Sequence, residues 1–173
     1  PVFTLGTSLK NNILPIKGIP CINTDRGGKI TYHGPGQLVG YPLIDLRKND
    51  LYPKELLELI NQMVLSVMRK FGVKGLLVPE APGIYVSKPG GANQFFNLAK
   101  ICSIGLKISN HCSYHGFALN VSANLEPFSY ITPCGYEGLR VANLNEFAQN
   151  ATLESTKRVL VEIIKEQFSE KRN

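Results

Sequence analysis

Two runs of alternating residues, joined by a short polar loop, constrain this chain more than anything else in it. Cys102, Ile104, Leu106 and Ile108 alternate with Ser103, Gly105, Lys107 and Ser109. After Asn110-His111-Cys112 a second run places His115, Phe117, Leu119 and Val121 on one side and Tyr114, Gly116, Ala118 and Asn120 on the other. A period of two is that of a pleated strand with one face in a core, and two such runs across a short loop predict an antiparallel hairpin. The apolar face of such a hairpin needs a cover.

Two helical stretches supply it. Residues 53–71 put Leu56, Leu57, Ile60, Met63, Val64, Val67, Met68 and Phe71 on one stripe, with Pro53 at the start and Gly72 just past the end. Residues 152–170 put Leu153, Leu160, Ile164 and Phe168 on one face, with Asn150 or Thr152 as the cap. Further strands are expected at 2–5, 38–46, 73–78 and 83–86. The fold class that results is α+β, a mixed and mostly antiparallel sheet with helices packed on it. A chain of 173 residues, 43% hydrophobic and 18% charged, suits one domain over 1–173 and excludes a disordered polymer. No run of about eighteen apolar residues is present, which excludes a membrane-spanning helix. The chain opens at Pro1 directly on a strand-like segment, so further sequence is expected upstream of it.

The net charge is +6, and the imbalance is local. Between Glu80 and Glu126 there is no carboxylate, while Lys88, Lys100 and Lys107 fall inside that gap. A basic centre is expected, able to attract nucleic acid, an anionic membrane or an acidic protein. The four cysteines, Cys21, Cys102, Cys112 and Cys134, form no Cys-x-x-Cys pair, and Cys102, His111, Cys112 and His115 do not match a standard zinc spacing. Reduced thiols are the expectation.

Three stretches read as chemistry. In Arg26-Gly27-Gly28-Lys29-Ile30-Thr31-Tyr32-His33-Gly34-Pro35-Gly36-Gln37, small and rigid residues interleave with Arg, Tyr and His. Such a loop is either a glycine-rich turn or a cradle for a phosphate or carboxyl-like group through its N–H donors. It matches neither nucleotide-binding glycine pattern. In Thr132-Pro133-Cys134-Gly135 a thiol is carried on an irregular turn, which suits a nucleophile with an oxyanion site, whereas Cys102 lies on a periodic apolar face. Lys100 enters the hairpin beside Ile101-Cys102. A thiol of pKa about 8.5 is only about 3% ionised at pH 7, and a neighbouring ammonium contributing roughly 2 kcal/mol would bring it to about half. A Lys–Cys pair is therefore chemically sufficient for acyl transfer, while His33 or His115 beside Cys134 would make a papain-like hydrolase.

These residues resemble a known family. The 26–37 stretch, Ala81-Pro82-Gly83-Ile84-Tyr85-Val86, Lys100-Ile101-Cys102-Ser103-Ile104-Gly105, Tyr114-His115-Gly116-Phe117-Ala118-Leu119-Asn120-Val121 and Pro133-Cys134-Gly135 match, in order, the octanoyltransferases of lipoate biosynthesis. The resemblance implies the catalytic-domain fold of biotin and lipoate protein ligases, with an earlier strand and helix preceding residue 1. It implies transfer of an octanoyl group from octanoyl-acyl carrier protein to a lysine of lipoyl domains, those of 2-oxoacid dehydrogenases and the glycine cleavage H protein, with no cofactor, nucleic acid or membrane. A cytoplasmic setting follows, or a mitochondrial or plastid one in a eukaryote. The family's nucleophile falls on Cys134 and its activating lysine on Lys100. The acyl-binding segments fall on Arg26, Gly27, Gly28, Lys29, Ile30, Thr31, Tyr32 and His33, on Ser103, Ile104 and Gly105, and on Gly116, Phe117 and Ala118. Residues 87–99 are longer than the family pattern, so the loop leading to Lys100 is expected to be mobile or reshaped for a particular partner. The alternatives are an ATP-dependent lipoate or biotin ligase on the same fold and a non-enzymatic nucleic-acid-binding module.

Overall fold

A computed structural model describes residues 1–9, 14–79, 81–90, 95, 97–132 and 135–169. Proline at the first helical position and a carboxylate in the first turn start α1 (Pro53–Lys70), where Tyr52 N–H donates to Glu55 Oε2 at 2.7 Å. Leu56, Ile60, Met63, Val64, Val67 and Met68 are buried along it, as their spacing predicts. In α2 (Leu153–Ser169) the phase differs from expectation. Leu153 is exposed, and Thr156, Leu160 and Ile163 are buried. Thr156 is tolerated in the core because its hydroxyl donates to Thr152 O at 2.7 Å, and Thr152 itself caps the helix by accepting from Ser155 N–H at 3.1 Å. The side chain of Phe168 lies outside the described part.

A small sheet holds β1 (Val2–Leu5), β2 (Cys21–Asn23) and β3 (Ile30–His33), in the order β2-β1-β3. The larger sheet holds β4 (Gln37–Gly40), β5 (Leu76–Val78), β6 (Ala81–Ser87), β7 (Leu98–Ser109), β8 (Cys112–Asn120) and β9 (Arg140–Val141). Its order is β4-β8-β7-β6-β5, and β9 runs parallel to the start of β7. The expected 38–46 strand stops at Gly40, because the proline at 42 has no N–H to give and its carbonyl is taken by Ser113 Oγ at 2.6 Å. The expected 73–78 strand begins only at Leu76, since Val73 N–H still closes the end of α1 on Met68 O at 3.0 Å.

The α+β expectation holds, and so does the hairpin, with Cys102 paired to Leu119 and Ser109 to Cys112. Cys102, Phe117, Leu119 and Val121 meet Leu56, Val64, Met68 and Leu160 in the main core, so the two helices cover the hairpin's apolar face. A second core of Phe3, Ile30, Tyr32 and Phe128 lies under the small sheet. Asn110 and His111 form a two-residue turn with both φ angles left-handed, at 50° and 64°. Asparagine and histidine are among the residues that enter this region more readily, yet in both it strains a β-carbon that glycine lacks. His111→Gly should therefore raise stability by about 0.5–1 kcal/mol; a urea midpoint that stays or falls would refute the assigned turn.

Candidate active site

The glycine-rich stretch splits into a loop and a strand. Residues 24–29 form the loop between β2 and β3, while Ile30, Thr31, Tyr32 and His33 are β3 itself. The Arg26 guanidinium turns inward to organise the loop: its Nη2 donates to Thr4 O at 2.6 Å and Lys29 O at 2.8 Å, and its Nη1 to Gly27 O at 2.9 Å. Tyr32 is spent on the second core, edge-on to Phe128.

β7 runs on past its last pairing with β6 at Cys102, and there Gly27 N–H donates to Leu106 O at 3.0 Å. A side chain at Gly105 would come within 3.0 Å of Gly27 O, so the close seating of loop on strand requires glycine at that position. Ser103, Ile104 and Gly105 are paired in register with Ala118, Phe117 and Gly116. The three segments expected to bind an acyl group are thus brought together, although Phe117 itself packs in the main core. A cavity of about 310 Å³ opens among Tyr41, Leu43, Leu56, Met63, Phe117 and Leu160, and it shares only Phe117 with those segments.

Lys100 enters β7, as its place beside Ile101-Cys102 predicts. It is paired with Tyr85 of β6 and Val141 of β9, and it is 2% exposed. Its ammonium donates to Pro82 O at 2.7 Å and lies 5.5 Å from the centre of the Tyr85 ring. Gly83, at φ +128°, admits the lysine stem; a methyl there would press on it and stand 2.6 Å from Cys102 O. Burial pushes the Cys102 thiol up to about 12, against the pull of the Lys100 charge. A thiol so buried stays protonated at neutral pH and is closed to an acyl donor, which is the environment of a core residue.

Pro133 and Cys134 lie outside the described residues. Their neighbours do not. Lys29 lies against Gly135, and Tyr136 packs on Phe95, which stacks on Tyr85, the ring beneath the Lys100 ammonium. Of the two histidines weighed as partners of a thiol, His33 contacts Gln37 Oε1 through Nδ1 at 3.2 Å. Gln37 Nε2 already donates to Tyr32 O and Asn120 Oδ1, so the shared proton belongs to His33 Nδ1. Burial holds this imidazole below its ordinary value, and the Gln37 contact opposes that only in part.

His115 departs from the face its spacing predicts. Its φ is +59°, and instead of joining Phe117 in the core it bonds Asp25 Oδ1 through Nε2 at 2.6 Å. Lys107 Nζ donates to the other oxygen, Oδ2, at 2.9 Å. The His115 and Lys107 contacts hold the Asp25 carboxyl down at about 2. A folded value below the unfolded one near 3.9 stabilises the fold above that pH and is lost as the pH falls through about 2. The free basic centre expected from composition is therefore corrected. Lys107 is neutralised by Asp25, Lys88 by Glu146 at 2.5 Å, and Lys100 is buried. Both carboxylates come from outside the 81–125 gap. Asp25 carries no local signal that would have marked it, because its partners Lys107 and His115 lie far along the chain; Gln37 and Asn120 stand in the quoted motifs, but their bond to each other spans 83 residues.

Residues 2–165 match the family model described as the lipoyl protein ligase A/B catalytic domain. The chain is 45% identical to an octanoyltransferase of Variovorax paradoxus over 92% of its own length and 76% of the relative's. It is 42% identical to that of Photorhabdus laumondii over 99% and 76%, and 49% identical to that of Polynucleobacter necessarius over 83% and 68%. In fold it is similar to a lipoate-protein ligase A solved with ATP, at TM-score 0.72 and 16% identity, covering 97% of this chain and 69% of that one. It is likewise similar to a bipartite lipoate protein ligase of Thermoplasma acidophilum, at TM-score 0.70 and 15% identity over 97% and 68%.

Proposed function

This chain belongs to the lipoyl protein ligase A/B catalytic-domain family, and from that premise we propose that it is an octanoyltransferase of protein lipoylation, taking the octanoyl group from octanoyl-acyl carrier protein to a lysine of a lipoyl domain. The identity to curated octanoyltransferases over most of the chain supports the activity. The observation that carries the mechanism is a buried ammonium, Lys100, at the head of the same strand on which the Arg26–Lys29 loop is seated.

The Cys134 thiolate attacks the octanoyl thioester, the carrier sulfur leaves, and Lys100 gives it a proton. One thioester has replaced another, at little change in free energy. The acceptor amine then attacks the cysteine thioester, an amide forms, Cys134 leaves as thiolate, and the neutral Lys100 amine takes the proton of the attacking nitrogen. The second step runs downhill without nucleotide. Loop N–H groups of 26–29 and the glycine backbone at 105 and 116 line the path of the acyl group. Each buried methylene is worth about 0.8 kcal/mol, so neighbouring chain lengths should differ only about fourfold in affinity.

Intact mass spectrometry separates this reading from a ligase. Incubation with octanoyl-acyl carrier protein alone should leave one octanoyl group on the protein, which a lipoyl domain then removes. An adduct that forms only with free octanoate and ATP would instead assign an adenylating ligase.

A further inference from the structure

We infer that Asp25 is a positioning residue, a latch that holds the acyl-binding loop against the β7–β8 hairpin through Lys107 and His115. The loop belongs to the small sheet by its chain path, since β2 and β3 flank it, and Arg26 ties it to Thr4 of β1. Its attachments to the larger sheet include Gly27 N–H on Leu106 O, the stem of Arg26 against Gly105 and the two bonds of the Asp25 carboxylate. The carboxylate stands one residue before Arg26, so its hold sets where the guanidinium and the loop's N–H groups stand relative to Gly105.

Two features mark this as a built contact. His115 adopts a left-handed conformation in mid-strand, at φ +59°, which a β-carbon resists and which only surrounding structure can maintain. The imidazole delivered by that conformation is flanked by the rings of Tyr41 and Tyr114. Lys107 is fixed on both sides, since its ammonium also lies 5.6 Å from the centre of the Tyr114 ring. The groups facing the carboxylate are thus Lys107 of β7 and His115 of β8, with Tyr114 and Tyr41 behind them. Asp25 and Lys107 are both partly exposed, so the latch acts on the loop and contributes little to the stability of the whole fold.

This rests on the loop binding the acyl donor, and the test keeps the two apart. Amide hydrogen exchange of residues 24–33 is compared in the wild type, Asp25→Asn and Asp25→Ala, with α1 as an internal reference. Exchange of the loop should rise about fivefold in Asp25→Ala and less in Asp25→Asn, which keeps one oxygen acceptor, while α1 stays unchanged. In the same variants KM for octanoyl-acyl carrier protein should rise about fivefold with kcat within about twofold. Raised ionic strength should loosen the wild-type loop and leave Asp25→Ala unmoved. Loop exchange that does not change in Asp25→Ala overturns the latch, and so does a loosened loop with an unaltered KM. A wild-type protein that transfers no octanoyl group refutes the function, and the latch is then decided by exchange alone.

Discussion

Cys134→Ala should abolish the octanoyl adduct and lower transfer by at least about a thousandfold, because removing a covalent nucleophile removes the whole two-step route. Cys102→Ala should keep the adduct. The contrast follows from environment. Cys102 is fully buried with its thiol pushed up to about 12, and its sulfur contacts Ser103 O at 3.6 Å inside the main core. Its loss should cost about 1 kcal/mol of stability and no chemistry. Cys134 lies in Pro-Cys-Gly, between a residue that fixes the backbone and one that frees it. Intact mass after incubation with the octanoyl donor, followed by peptide mapping, reads both outcomes. An adduct that survives in Cys134→Ala would refute the assignment.

Lys100→Met should have the second largest effect. Methionine keeps most of the stem that Gly83 admits and removes the ammonium. If that ammonium brings the Cys134 thiol from about 8.5 to near neutrality, its loss drops the thiolate fraction at pH 7 from about half to about 3%, roughly fifteenfold. Acyl transfer should fall further, because the group that returns the proton is also gone. Lys100→Arg keeps the charge but cannot give up a proton under these conditions, so it should hold the thiol pKa low and still fail in transfer to the amine. Alkylation rate against pH separates the two roles. The Pro82 carbonyl loses its partner in the methionine variant, at about 1 kcal/mol, so thermal unfolding must accompany the kinetics. An alkylation profile identical to the wild type would refute electrostatic activation.

What was legible in the sequence was local. The hairpin, α1 and the convergence of 103–105 with 116–118 all follow from spacings of two or three to four residues, and each is present. The errors fall where a partner comes from elsewhere. Lys88, Lys100 and Lys107 form a cationic cluster only in the text of the sequence; Glu146, Asp25 and burial dispose of them in space. His115 fits the apolar alternation by position, yet a positive φ aims it at a carboxylate ninety residues earlier. In α2 an exposed Leu153 imitates a core position, and Thr156 replaces it by bonding its own helix. The entry of Lys100 into a strand was legible, but its burial between β6 and β9 was not, since β9 comes from forty residues later.

The 90-residue separation between Asp25 and His115 also bears on the order in which the molecule assembles. The loop emerges from the ribosome early, but the hairpin that receives it does not yet exist. At about 5–20 residues per second, some 5–20 seconds pass between synthesis of the carboxylate and of the imidazole. The hairpin closes on itself within microseconds once made. Docking of the loop therefore waits on the hairpin: the contact that joins the small sheet's loop to the larger sheet cannot form until the chain has been made as far as His115.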